Sequence, residues 1–280
     1  MTVREILRSA SLTLQQAGCG APRLDAELLL AKILERDRTW LIAHADDDVP
    51  SSVQKTYTLL MERRRKREPL AYIMGEKEFW SRPFFVTPDV LIPRPETEHL
   101  IEAILERFPD TKKDVRFCDI GTGSGCIAVT LACEYSRVQV IATDISHATL
   151  HIARKNAERH GITSRIEFRQ GDMFAALRKQ DGPFDAIISN PPYVGQNEMH
   201  VLEAELGFEP RHALTDESTG LIHLQSLVDQ APSWLKEDGI LIVETGLSGL
   251  PSPSPSMYLK NSIHDLAGQL RGGIYAMKEK

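Results

Sequence analysis

The chain has 280 residues, a net charge of −6 and a pI near 5.9, with 42% hydrophobic and 26% charged residues. That length holds one large domain or two modest ones, and the acidic balance argues against a protein that grips nucleic acid mainly through its phosphates. The four cysteines (Cys19, Cys118, Cys126, Cys133) form no CxxC pair, and no histidine cluster has metal-site spacing, so no metal is expected. Reduced thiols and a cytoplasmic location fit this best.

The first segment, "MTVREILRSASLTLQQAG", carries charges inside an apolar 3.6-residue pattern and reads as an amphipathic helix rather than a signal peptide. No apolar run approaches the roughly 18 residues needed to span a bilayer. Ile6, Leu7, Ala10 and Leu14 fall on one face, and Gly18 and Gly20 close the helix. "APRLDAELLLAKILE" opens a second helix at Pro22, with Leu24, Leu28, Ala31 and Leu34 in register. A third covers about residues 51 to 67 and ends in "RRRKRE", which reads as a solvated helix end favoured by the dipole more than as a surface for an acidic partner. Residues 1–73 thus form an all-helical domain. Residues 74–92, with aromatics and β-branched residues around "SRP", read as a hairpin or linker. "PRPETEHLIEAILERF" then begins a helix and the second domain, 93–280.

From about residue 115 the pattern becomes strand, glycine turn, helix, strand, acid, and then repeats the alternation to a fifth strand, "ILIVETG". This implies an α/β fold with an open, doubly wound, mostly parallel sheet. Gly121-Thr122-Gly123-Ser124-Gly125 follows a strand and opens a helix, where glycine lets a ligand approach the main chain. Alone, such a turn is equally a simple strand-to-helix connection. Asp144 ends the next strand, where an acid can accept from both ribose hydroxyls of a nucleoside; Asp172, beside Met173, ends the third and can receive an exocyclic adenine amine. Either acid singly reads as a helix N-cap, but two after successive strands beside GTGSG read as a nucleoside pocket. NAD and S-adenosylmethionine both remain candidates. The turn is GxGxG rather than GxGxxG, with Cys126 in the next place, and a cofactor without a diphosphate fits it at least as well.

The fourth strand, "FDAIISN", delivers Asn190-Pro191-Pro192-Tyr193 to the same edge. An amide or aromatic amine is a poor nucleophile because its lone pair is delocalised. Two acceptors aimed at its N–H groups would hold it: the Asn190 side-chain oxygen and the Pro191 carbonyl, which Pro192 keeps out of secondary structure. Tyr193 can cover the planar group. Methyl transfer to that nitrogen then rests on in-line positioning and needs no separate base.

At this point the sequence resembles the S-adenosylmethionine-dependent methyltransferases of the HemK/PrmC type, which methylate the side-chain amide nitrogen of the glutamine in the GGQ motif of peptide chain release factors. "DIGTGSGCIA", "ATDIS" and "SNPPYV" match the core of that family, while "PLAYIMGEKEFW", "LIPRPETE" and "FEPRHAL" are more discriminating. The resemblance implies a seven-stranded or slightly reduced sheet. It places Gly121 to Gly125, Asp144 and Met173 at S-adenosylmethionine, has Asn190 to Tyr193 hold the glutamine amide with Asn190 also near the cofactor, and gives the helical domain the docking of the release factor. A monomer without stable nucleic-acid or membrane partners is expected. After "VETG" the chain departs from the family. "LSGLPSPSPSMYLKNSIHDLAGQLRGGIYAM" is short and proline-rich, so a loop is expected in place of a helix before one final strand. The main rival is an amino-methyltransferase acting on adenine of DNA or RNA, since adenine N6 is also a conjugated amine; a non-catalytic nucleoside-binding adaptor is the other.

Overall fold

In the computed structural model, residues 1–279 are described and divide into two units: residues 1–76 with 203–208, and residues 77–202 with 209–279. The first is helical. Helix α1 (Val3–Gln16) starts with a reciprocal cap, in which Thr2 Oγ1 accepts from the Glu5 N–H at 3.3 Å and Glu5 Oε2 accepts from the Thr2 N–H at 2.9 Å. Its buried face is Val3, Ile6, Ala10 and Leu14, as the spacing predicts except that Val3 replaces Leu7. Helices α2 (Pro22–Leu34), α3 (Arg38–Ala43), α4 (Ser51–Arg65) and α5 (Leu70–Met74) follow; α3 and α5 are short additions to the three expected.

Two expectations fail in this unit. Helix α2 buries Ala26, Leu29, Leu30 and Ala31 and leaves Leu24 exposed, so its inner face is rotated from the one expected. Leucines on every side give no unique period. The choice is made by two acids: Asp25 and Glu27 are buried and held by Arg64 at 2.7 Å and by Arg38 and Arg23 at 2.6 and 2.8 Å. The basic run is likewise not a wholly solvated end. Arg64 continues the inward stripe of Tyr57 and Met61 on α4. It is 6% exposed and donates to Asp25 and to Glu205, which Arg67 also holds.

The second unit opens with a hairpin of β1 (Glu76–Phe79) and β2 (Arg82–Phe85), whose turn residues Trp80 and Ser81 both have positive φ, as a tight two-residue hairpin turn requires. Residues Pro95–Thr97 make a 3-10 turn leading into α6 (Glu98–Arg107). Strands β3 (Arg116–Ile120), β4 (Gln139–Asp144), β5 (Ile166–Gln170), β6 (Phe184–Ser189) and β7 (Leu235–Glu244) pair in parallel; α7 (Cys126–Glu134), α8 (His147–Arg159) and α9 (Ile222–Gln230) lie in the crossovers. Strands β8 (Met257–His264) and β9 (Leu270–Met277) complete a seven-stranded sheet in the order β5-β4-β3-β6-β7-β9-β8, with β9 antiparallel to β7. Alternate strand residues feed two cores. Phe117, Val140, Ala186, Ile188 and Ile242 pack with α6 and α7, while Cys118, Ile141, Ile187 and Leu241 pack with Leu224, Leu227 and Val228 of α9.

No helix is present between β7 and β8, as expected of the proline-rich stretch, and Tyr275 donates to the Pro251 carbonyl at 2.8 Å to hold it. The sheet nevertheless ends in two strands rather than the single one expected. Strand β8 is an exposed edge with almost no buried side chain, so it carries no alternating signal to read.

Removing Arg64 leaves Asp25 and Glu205 short of their buried cation. Arg64→Ala is expected to lower unfolding free energy by about 3–5 kcal/mol, against less than about 0.5 kcal/mol for Arg65→Ala, whose partner Glu62 is half exposed. Urea unfolding of both variants checks this, and equal effects would show that the Arg64 cluster is a surface network.

Candidate active site

Past β3 the backbone turns at Gly121 and Gly123, with φ of +72° and +57°; a Cβ at either would meet nothing within 4 Å. The glycines are therefore needed for the backbone angle and for the open space over the turn. Gly125 has a different task. A Cβ there would lie 3.2 Å from Ala153 Cβ, so this glycine lets α7 approach α8. Below the turn, Asp119 is fully buried; its Oδ2 accepts from Thr122 Oγ1 at 2.6 Å and from the Ala128 N–H at 3.1 Å. Asp119 Oδ1 and Ser124 Oγ are buried without a protein partner. Burial, and secondarily the charge of Asp144, pushes the Asp119 carboxyl up to about 7.

Asp144 is not the cap of the helix that follows. Ser146 takes that role, its hydroxyl accepting from the Thr149 N–H at 3.2 Å. Asp144 instead accepts from the Gly123 N–H at 3.1 Å and the Ser146 N–H at 2.9 Å, which fixes the glycine turn to β4. Burial raises its pKa, while those two N–H groups and the facing His212 oppose the rise. Asp172 makes no capping bond either, and Met173 beside it holds a left-handed φ of +47°.

Strand β6 ends at Ser189, whose hydroxyl donates to the Ile120 carbonyl at 2.7 Å. Asn190 Nδ2 donates to Thr97 Oγ1 at 3.0 Å, and Thr97 donates to Glu244 Oε2 at 2.6 Å. Tyr193 donates to Glu244 Oε1 at 2.9 Å and lies beside Gly246, where a Cβ would be 2.7 Å from the ring. Glu244 is 1% exposed; burial pushes its carboxyl up to about 7 against the pull of Thr97 and Tyr193, with Glu96 adding to the rise and Arg94 opposing it. Burial, then the charge of Glu244, raises the Tyr193 phenol.

A cavity of about 610 Å³ collects Gly121, Thr122, Gly123, Ser124, Asp144, Asp172, Met173, Asn190, Pro191 and Pro192. Among the described residues, Gly125 and Tyr193 are absent from its lining: the first is spent on helix packing, the second is turned to Glu244. "LIPRPETE" supplies part of the wall through Leu91, Pro93, Arg94 and Thr97, and "FEPRHAL" supplies Arg211, His212 and Ala213. The two motifs are joined by Glu209, which accepts from Arg94 at 2.6 Å and from the Ile92 N–H at 3.0 Å. Reasoning from the residues assigned no chemistry to Asp119, Thr97, His212 or Glu244. The first had a signal, as the last acid of a buried strand before a glycine turn; the others are single residues with no local pattern.

Residues 5–75 match the PrmC N-terminal domain family and residues 111–265 a methyltransferase domain family. A release factor glutamine methyltransferase of Neisseria gonorrhoeae is 43% identical over 80% of this chain and 81% of its own. One of Coxiella burnetii is 42% identical over 88% of this chain and 86% of its own. Among solved structures, a T. thermophilus 16S rRNA methyltransferase in complex with AdoMet and guanosine is 18% identical, with a TM-score of 0.52 over 73% of this chain and 50% of that one. At that identity the likeness is one of fold.

The raised Asp119 pKa carries a stability consequence of definite sign. The folded state holds this proton more tightly than the unfolded chain, so the contribution is fully present below the ordinary carboxyl value of 3.8 and is lost as pH rises through about 7. Measured against Asp119→Asn by urea unfolding, the wild type should lose relative stability steadily across that window. A difference that stays constant with pH would mean that Asp119 titrates normally.

Proposed function

The chain belongs to the release factor glutamine methyltransferase family, and from that membership together with the cavity at the carboxyl edge of the sheet we infer its reaction in residue terms. It is an S-adenosylmethionine-dependent methyltransferase that acts on the side-chain amide nitrogen of the glutamine in the GGQ motif of peptide chain release factors. The observation that carries this is the likeness to release factor glutamine methyltransferases across both the helical and the methyltransferase regions, with Asn190 and Pro191 lining the cavity that the glycine turn opens.

The residues present fit S-adenosylmethionine. Gly121 and Gly123 leave room over the turn, Thr122 and Ser124 line the cavity beside it, and Asp144 and Asp172 supply carboxylates after successive strands. Asp144 keeps acceptor capacity after its two backbone bonds, since a carboxylate offers about four lone-pair sites, and we assign it to the ribose. Asp172 and Met173 are assigned to the adenine. The cofactor supplies an activated methyl group bonded to sulfur.

Asn190 and Pro191 do the rest. With Nδ2 spent on Thr97, the Asn190 oxygen is the free end of its amide, and the Pro191 carbonyl lies beyond the last β6 pairing at Ser189. Two acceptors on the glutamine N–H groups orient the nitrogen in line with the methyl group and favour localisation of its lone pair. The nitrogen that takes the cofactor's methyl group would become cationic and would pass its extra proton to water, while Asn190 and Pro191 hold it in place. The helical unit is assigned to docking the release factor. We take the enzyme to act as a monomer, and the net charge of −6 supports a protein without a standing nucleic-acid partner. Among the described residues no helix is long and apolar enough to cross a membrane, and a translation-factor substrate supports a cytoplasmic enzyme.

Incubating the protein with S-adenosylmethionine and a release factor should add one methyl mass to the GGQ-containing peptide, read by mass spectrometry. Asn190→Ala and Asn190→Asp should each lose more than about tenfold in kcat, or about 1.4 kcal/mol of transition-state stabilisation. An unmodified release factor beside methylated nucleic acid would overturn the substrate assignment, and an Asn190→Ala enzyme of normal kcat would overturn the mechanism.

A further inference from the structure

Thr97 and Glu244 are fully buried, lie 147 residues apart in sequence, and meet behind Asn190. We propose that they are positioning residues that fix the Asn190 amide with its nitrogen turned inward and its oxygen facing the substrate. This rests on the assignment of Asn190 as substrate acceptor.

An ionised carboxylate can only accept, so the single hydroxyl proton of Thr97 goes to Glu244 Oε2 at 2.6 Å. Thr97 Oγ1 is then left as an acceptor, and only a donor can face it. Asn190 meets that demand with Nδ2 at 3.0 Å. Because an amide is planar, its oxygen points away from Thr97. Tyr193 takes the other carboxylate oxygen at 2.9 Å, so Glu244 has no alternative partner to turn toward. Thr97 stands where a threonine ordinarily caps the following helix, yet its side chain makes no capping bond. Its hydroxyl is spent on Glu244 instead. Reversing the polarity of this relay would present the Asn190 N–H₂ to the glutamine N–H₂, donor against donor.

The relay works only while Glu244 is ionised. Burial pushes that carboxyl up to about 7; the groups facing it are Thr97 and Tyr193, which favour the charged form, Arg94, which does the same, and Glu96, which opposes it. Cys126 also lies within its field, and Arg271 on β9 is paired with Asp265 and lies 3.7 Å from Glu96. A protonated Glu244 can itself donate to Thr97, which frees the threonine proton to turn toward Asn190.

The test is a set of kinetic measurements on the full chain with release factor and S-adenosylmethionine. Thr97→Val keeps the shape and removes the hydroxyl; kcat should fall at least about tenfold while cofactor affinity, read by calorimetry, stays within about twofold. Thr97→Ser restores the hydroxyl and should recover most of kcat. In the wild type, kcat should decline as pH falls through about 7, and Glu244→Gln, which cannot titrate, should lose that acid limb. Thr97→Val with kcat near wild type, or Glu244→Gln that keeps the limb, overturns the proposal. If Thr97→Val does not fold, as judged by its melting curve, the Glu244→Gln pH profile decides alone. A wild-type protein that methylates no release factor would instead remove the functional assignment on which the proposal stands.

Discussion

Parallel pairing with a fixed register is the constraint on which the site depends. Ile120 of β3 lies opposite Thr143 of β4 and Ser189 of β6, and Ser189 lies opposite Val243 of β7. The next residue along each strand is therefore Gly121, Asp144, Asn190 or Glu244. Four groups with separate tasks reach the same level of one sheet edge because their strands are in step. Hydrophobic burial on both faces holds that register, since a slip of one residue would exchange the two cores, putting Cys118, Ile141 and Ile187 where Phe117, Val140 and Ile188 belong. The chemistry is thus positioned by packing that takes no part in it.

That edge is also where the protein buries acids without cations. Asp181 is held by Arg169 and accepts from the Arg178 N–H, and its pKa is lowered even though desolvation opposes this. Asp119, Asp144 and Glu244 are held by hydroxyls and backbone N–H groups, and all three are raised. Hydrogen bonds offset only part of the desolvation cost. What they add is direction, because each such bond fixes one donor in one orientation. A guanidinium would satisfy the charge better, but it would fill the space beside Asn190 with five donors. Carboxylates raised by burial in this way, Asp119 and Glu244 up to about 7 and Asp144 in the same direction, mark a functional edge rather than a stabilising one.

The sequence and the structure agree best where local backbone chemistry is demanding. The GTGSG turn was legible because positive φ excludes most side chains, and Asp144 and Asp172 line the cavity where the repeated strand, turn, acid pattern brings them. The succession of β3 to β7 along the chain followed from alternation; their lateral order in the sheet, β5-β4-β3-β6-β7, did not. The inner face of α2 was not legible, because its leucines permit several faces and the decision lies with Arg64 and Arg38, distant in the chain. Glu244 and Thr97 were illegible for a related reason. A lone threonine and a lone glutamate have no spacing to read, and only the sheet topology brings them together. Tyr193 follows the end of β6, with its hydroxyl on Glu244 and its ring outside the cavity lining. A buried acceptor within reach of its hydroxyl draws it away from the cavity.

The long connection from β6 to α9 completes the picture of a site positioned by polar bonds. It contains only short 3-10 turns, and Val201 is 83% exposed in it. Acids hold it at intervals. Glu209 is held by Arg94 and the Ile92 N–H, and Asp216 accepts from the N–H groups of Ser218, Gly220 and Ile222. A segment pinned by charge with little apolar burial opens at low free-energy cost compared with a core strand. Yet it carries Pro191 and His212 into the cavity wall. Rigid strands therefore set where Asn190 and Glu244 stand, while a segment of few apolar contacts closes the wall around them. This division suits an enzyme that must admit an exposed glutamine from a large protein and still hold its nitrogen in line.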